Sequence, residues 1–196
     1  ELNSLGSASA EVSRALIEGA DMAKSEEIPE FGLLHGVKVL STGTVAAEPY
    51  ADTLMDENGA DVVQVENARS TEGMLKNVAL EWAQDARCKR TIALDIPSKE
   101  GRGVFLDLIQ WADIWLESSK GGTYNKWGFD DEFLLELNPD LVIVHVSGYG
   151  EMGEPDYVRR PSYDPIAQAF SGFMYINSPR GTKPMAVFPG IGEFIT

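Results

Sequence analysis

Several things are scarce in this 196-residue chain, and each scarcity closes off a class of protein. A single cysteine, Cys88, excludes an internal disulfide framework and fits a reducing compartment. The only histidines are His35 and His145, far apart and with no further metal-ligating residue at close spacing, so no zinc site is expected. Basic residues are outnumbered, 16 Lys and Arg against 31 Asp and Glu, for a net charge of -15. Nucleic acid and anionic membranes are therefore disfavoured as partners, and an anionic ligand must be held by a local basic cluster. No apolar run reaches membrane-spanning length and no basic-then-apolar leader is visible, which reads as a soluble, cytoplasmic protein. There is no G-x-G-x-x-G after the first apolar run, which disfavours a dinucleotide site, and no G-x-S-x-G.

What is present suffices for one buried core: 43% of residues are hydrophobic, with 4 Trp and 8 Phe. Residues 1–30 are rich in Ala, Ser and Glu and read as a short helix or mobile arm; the core begins after them. Short β-branched runs at Val37 to Leu40, Asp61 to Val65, Thr91 to Leu94, Ile114 to Glu117 and Leu141 to Ser147 predict five strands. Between them, Pro49 as a first helical residue and Gly59 as a C-terminal cap predict a helix over Pro49 to Asn58, burying Ala51, Leu54 and Met55. Ser98 caps a second helix whose Val104, Phe105, Leu108, Ile109 and Ala112 form an apolar stripe, and a third lies near Asp130 to Leu137. The polar stretch holding Met74, Trp82 and Cys88 has no clean period. Alternating strands and helices with long connections predict an α/β fold, a Rossmann-like parallel sheet with helices on both faces.

In such a sheet, ligands sit beyond the carboxyl ends of the strands. The loops there are Ser41 to Ala47, Glu66 to Arg69, Ser118 to Gly122 and Ser147 to Gly150, all small or polar. Their glycines allow close approach of backbone to phosphate, and Lys120, Lys126 and Arg160 supply charge that the acidic chain otherwise lacks. The same residues could be ordinary turn glycines and solvated lysines. His145, inside the apolar run VIVHVSGYG, reads as a hydrogen-bonded core histidine, and Cys88 as a packing residue. Glu193 stands in VFPGIGEFIT between glycines and apolar residues, where a tight turn would set a carboxylate able to act as nucleophile or base; an exposed turn glutamate is the bland alternative.

Three segments, GVKVLSTGTVAAEPYADTLMDENGADVVQVEN, CKRTIALDIPSKEGRGVFLDLIQWADIWLESSKGG and NPDLVIVHVSGYGEMGEPDYVRRPSYDPIAQAFSGFM, together resemble the N-terminal half of the family III CoA-transferases (CaiB/BaiF type). The resemblance runs from Phe31 to Thr196, and ESSKGG and FSGFM are closest to the carnitine and bile-acid branch. It implies that residues 31–196 are the CoA-binding part of a large domain, with a small middle domain and a C-terminal segment absent. The chain, which starts at Glu1 and stops just after GIGEFIT, is accordingly expected to be a segment of a longer protein.

The resemblance further implies coenzyme A as substrate and acyl carrier, an acyl-CoA and a small carboxylic acid as partners, and an interlocked homodimer in the full-length protein. The implied CoA contacts are Ala46, Ala47, Asn67, Leu94 to Pro97, Ser118, Ser119, Lys120 and Lys126, with Arg160 added on chemical grounds. The family commonly has arginine at the position of Lys126 or of its neighbour, where Trp127 stands here; Lys126 keeps the charge but not the bidentate geometry. Glu193 stands where the family nucleophile is an aspartate, and its extra methylene shifts the carboxylate by about a bond length; a misplacement of about 1 Å can cost roughly a hundredfold in rate. Two alternatives stay open: an α-methylacyl-CoA racemase-like enzyme, disfavoured because Tyr163 stands near the family's catalytic histidine and has a pKa of about 10, and a catalytically weak CoA-binding or assembly subunit.

Overall fold

The computed structural model describes residues 31–43, 46–69, 83–188 and 190–194, together with the pair 14–15. The arm expected over 1–30 lies outside the described residues apart from Arg14 and Ala15, which are helical, and most of the unassigned polar stretch lies outside them as well.

The five predicted strands all form, within one or two residues of their expected bounds: β1 (Lys38–Ser41), β2 (Asp61–Asn67), β3 (Arg90–Leu94), β4 (Ile114–Glu117) and β5 (Val142–His145). They make one sheet in the order β3-β2-β1-β4-β5, and every neighbouring pair is parallel. Alternate side chains leave a strand on opposite faces, so the sheet supplies two cores. Leu40, Val63, Val65 and Trp115 enter one cluster, while Val39, Val62 and Leu116 enter the other.

Helices cover both faces. Helix α1 (Ala47–Glu57) places Met55 against the second cluster. Helix α2 (Lys99–Trp111) brings Val104, Phe105, Leu108 and Ile109 to the first, as the stripe predicts, and its N-cap Ser98 accepts a hydrogen bond from the Gly101 amide at 2.9 Å. The short α3 (Thr123–Lys126) and α4 (Asp131–Leu137) add Tyr124 and Leu134 to that face, with Asp130 accepting from the Phe133 amide as N-cap. Phe105 is the hub, with ring centroids 5.7 Å from Trp115, 5.9 Å from Tyr124 and 4.8 Å from Phe129. Beyond β5 the chain forms α5 (Pro155–Val158), α6 (Asp164–Phe170), α7 (Phe173–Asn177) and α8 (Ile191–Phe194), the last packed against α6 and α1.

Three expectations are corrected. Helix α1 begins at Ala47, two residues before Pro49, and its enclosed side is polar: Glu48, Asp52 and Thr53 are buried whereas Leu54 is 41% exposed. The reason is the surface it meets. Ser41 faces Glu48, the enclosed Lys89 ammonium pairs with Asp52, and the Asp85 carbonyl accepts from Thr53 at 2.8 Å. Cys88 is exposed and not a packing residue, because it sits at φ 70 in the bend that turns Lys89 inward beneath α1. Glu193 lies in the one-turn helix α8 and not on a tight turn, since the 190–192 segment is pinned to α6 by the Asp164 carboxylate.

Because Phe105 is fully buried among three rings, Phe105→Ala should lower the unfolding free energy by about 3–5 kcal/mol. Denaturant titration of the full-length polypeptide checks this, and a loss below about 1 kcal/mol would contradict the packing described.

Candidate active site

Strand β1 is flanked by β2 on one side and β4 on the other, so the chain leaves β1 toward α1 on one face and leaves β4 toward α3 and α4 on the opposite face. The divergence opens a crevice at the carboxyl ends, where open α/β sheets bind ligands. Two adjoining cavities occupy it. The first, about 280 Å³, is lined among others by Ala46, Ala47, Ser118, Ser119, Lys120, Arg160, Tyr163, Asp164 and Gly192. The second, about 360 Å³, is lined by Gly43, Asn67, Arg69, Leu94, Pro97, Ser118, Ser119, Tyr124 and Trp127, with others. Ser118 and Ser119 belong to both and form the ridge between them.

The residues singled out in the sequence thus separate into groups. Ala46, Ala47, Ser118, Ser119, Lys120 and Arg160 share the first cavity; Asn67 and Leu94 share the second with the two serines. Lys126 is exposed on α3 and lines neither, although its neighbours Tyr124 and Trp127 wall the second cavity. The Arg160 guanidinium lies 4.4 Å from the centroid of the Tyr157 ring, a cation–π contact that steadies it at the rim.

Glu193 follows Gly192, which lines the first cavity, so its backbone stands at that cavity's edge. The placement has a clear local cause. The buried Asp164 Oδ1 accepts the Gly192 amide at 2.6 Å, serving a first-turn N–H of α8 from another element. Its Oδ2 accepts from Gln168 one turn along α6, and Gln168 in turn bonds both backbone groups of Val187, at 2.8 Å and 3.0 Å. A Cβ on Gly192 would sit 2.9 Å from Asp164 Oδ1, so a side chain there would push the helix off its anchor.

Neither Asp164 nor Glu48 stands out by sequence spacing. Glu48 is fully buried beneath the ridge: Ser41 Oγ donates to its Oε1 at 2.5 Å and Ser118 Oγ to its Oε2 at 3.4 Å. A Cβ on Gly43 would overlap that carboxyl at 1.3 Å, so a side chain there would displace Glu48 from its place. Burial first, and the nearby Asp52 second, push the Glu48 pKa up to about 8, so the group is a neutral acid at pH 7. The available signal was a carboxylate one residue past Ala46 and Ala47, at the start of a helix.

His145 also differs from the expected core histidine. It is hydrogen-bonded, but at the half-buried end of β5, with Nδ1 2.6 Å from Glu117 Oε1 and Nε2 3.0 Å from Asp131 Oδ1. The fold brings Glu117, His145 and Glu151 together, one donor atom each within 4.8 Å, which sequence spacing does not show. Two donors sharing a tetrahedral metal at 2.0–2.1 Å would stand roughly 3.3 Å apart. The 2.6 Å separation is that of a charge-assisted hydrogen bond instead.

Comparison with known proteins bears on this site. A family model described as CoA-transferase family III matches residues 34–196. Bile acid CoA-transferase BaiK of Clostridium scindens is 43% identical over 169 residues, covering 86% of this chain and 38% of that protein. An L-carnitine CoA-transferase of Proteus mirabilis is 38% identical over 176 residues, covering 89% and 43%. The chain spans less than half the length of these curated relatives. The crystal structure of a CAIB/BAIF family protein from Brucella suis matches with TM-score 0.73 and 26% identity over 84% of this chain and 46% of that one. Rv3272 from M. tuberculosis shares the fold with TM-score 0.76, at 23% identity over 85% and 48%.

Glu48 makes the stability of the fold depend on pH. Its folded-state pKa of about 8 lies above the ordinary 4.5, so the folded chain holds a proton that the unfolded chain releases, and the resulting stability is lost as pH rises from 4.5 through 8. Glu48→Gln keeps the neutral shape, so it should be near-neutral at pH 5 and stabilising by on the order of a few kcal/mol at pH 9, read by denaturant titration. An effect independent of pH would contradict a buried neutral acid.

Proposed function

Because the chain belongs to CoA-transferase family III, we propose that it forms the CoA-binding part of the large domain of an enzyme moving CoA from an acyl-CoA thioester to a free carboxylic acid, with Glu193 as the nucleophile. The observation that carries this reading is the position of the Gly192–Glu193 backbone at the edge of the cavity that also holds Ser118, Ser119 and Lys120. A thioester held by the ridge would have its reacting carbon beside α8.

In the proposed reaction the Glu193 carboxylate adds to the thioester carbonyl, the C–S bond breaks, and CoA thiolate leaves a mixed anhydride. The thiolate then attacks the glutamyl carbon of the anhydride, releasing the donor acid as its carboxylate and leaving an enzyme-CoA thioester. The acceptor carboxylate attacks that thioester to form a second anhydride, and the expelled thiolate takes the acceptor acyl group, freeing Glu193. The exchange needs no net proton transfer and no redox partner.

Ala46 and Ala47 leave room at the mouth of α1, and Lys120 and Arg160 offer the positive charge an acyl-CoA needs in an otherwise acidic protein. Lys126, Asn67 and Leu94 would serve the nucleotide end through the second cavity and its rim. Phe170, Tyr175, Ile176 and Phe188, on and after α6 and α7, are each exposed, apolar area suited to burial by the rest of the polypeptide or by a second subunit.

Full-length enzyme treated with acyl-CoA and then hydroxylamine should carry a hydroxamate on the peptide containing Glu193, detected by mass spectrometry. Glu193→Ala should lower transfer by on the order of 10³-fold or more, while Glu193→Asp should remain within about a hundredfold of the parent. An unmodified peptide together with an active Glu193→Ala variant would remove Glu193 from the mechanism.

A further inference from the structure

The ridge between the two cavities is held from behind by groups on three different elements. Glu117, the last residue of β4, keeps its side chain only 3% exposed. Its Oε2 accepts the Ser119 amide at 2.8 Å, so the ridge is tied to a buried carboxylate. Its Oε1 lies 2.6 Å from Nδ1 of His145 at the end of β5, and Nε2 on the far side of that ring lies 3.0 Å from Oδ1 of Asp131, the first residue of α4. A neutral imidazole has one N–H, whereas both ring nitrogens here face carboxylate oxygens; only the imidazolium donates to both.

The groups around the ring reinforce that state. Glu117 faces it from β4, Asp131 from α4 and Glu151 from the loop after β5, while the Trp115 ring meets it edge-on with centroids 5.8 Å apart. Glu151 is itself tied to the ridge, its Oε2 accepting the Gly122 amide at 3.2 Å. The imidazolium thus neutralises a carboxylate that would otherwise be enclosed against a single backbone N–H.

We propose that His145 is a positioning residue for CoA binding: by bridging Glu117 to Asp131 it fixes the carboxylate that orients the Ser119 amide, and so sets the shape of the Ser118 to Gly122 ridge. The part of this that concerns CoA rests on the function proposed above; the part that concerns the ridge does not. The hydrogen bond to Glu117 raises the His145 pKa to about 9, with the Asp131 charge adding to it and partial burial opposing it. The bridge is therefore intact at pH 7 and is lost as pH rises through about 9, while the stability it contributes is full below the ordinary 6.5 and declines from there through about 9.

The test uses the full-length protein and desulfo-CoA, whose missing thiol cannot titrate in the range of interest. His145→Gln keeps the bulk of the side chain without its charge. It should weaken desulfo-CoA binding about tenfold at pH 7, a change of about 1.4 kcal/mol, and abolish the loss of affinity that the parent shows as pH rises from about 8 to about 9.5. In the absence of ligand, the Ser119 amide should exchange with solvent about tenfold faster in His145→Gln. Should that variant fail to fold, Asp131→Asn, at an exposed helix start, is expected to shift both readouts about threefold in the same sense. Unchanged Ser119 exchange in the foldable variant overturns the proposal. A parent that binds no desulfo-CoA, with Ser119 exchange still accelerated in the variant, would instead overturn the CoA reading and leave the ridge assignment standing.

Discussion

Everything at the candidate site depends on one constraint, the parallel pairing of β1 with both β2 and β4. With β1 in the middle and the connections after β1 and β4 departing to opposite faces, the backbone must part at their carboxyl ends. The crevice is a consequence of topology before any side chain is considered. Its depth comes from the residues that the parting chains carry there: Gly43, which lets the β1 loop cross a buried carboxyl, and Ser118 with Ser119, which stand between the cavities.

A second theme is that this acidic chain uses buried carboxyl groups as internal fasteners. Glu48 ties the β1 loop to Ser118, Glu117 ties Ser119 to β5, and Asp164 ties α8 to α6. Each is satisfied differently. Glu48 is neutral because burial disfavours its charge, Glu117 faces a histidine, and Asp164 accepts a backbone amide together with Gln168. A buried polar group left without such a partner would cost about 1–3 kcal/mol, so these contacts hold the loops in one arrangement. Lys120 and Arg160 at the first cavity and Arg69 at the second bring positive charge to the crevice of an otherwise acidic chain.

The sheet was legible because its strands are short β-branched runs separated by clear helix signals, such as Ser98 before the stripe from Val104 to Ala112. Helix α1 misled because its enclosed face is polar: periodicity marks Leu54 as inward, whereas the partners that enclose Asp52 and Thr53 come from residues 85–89, remote in sequence. The loops of the crevice were legible from topology alone, yet the groups that hold them were not. Glu117 and His145 lie 28 residues apart, as do Asp164 and Gly192, and nothing local in either segment announces the pairing. Lys126 shows the converse: charge and chain position recommend it, and the fold sets it beside the second cavity without making it part of the wall.

CoA is proposed to be held on the ridge that follows β4, between the two cavities. Hydrogen exchange of the full-length protein with and without CoA, resolved to short peptides, tests it most directly. Slowed exchange on CoA addition is expected in the segments 42–47 and 118–122, with little change along α7. Protection confined to other segments, or none in 118–122 at saturating CoA, would contradict it.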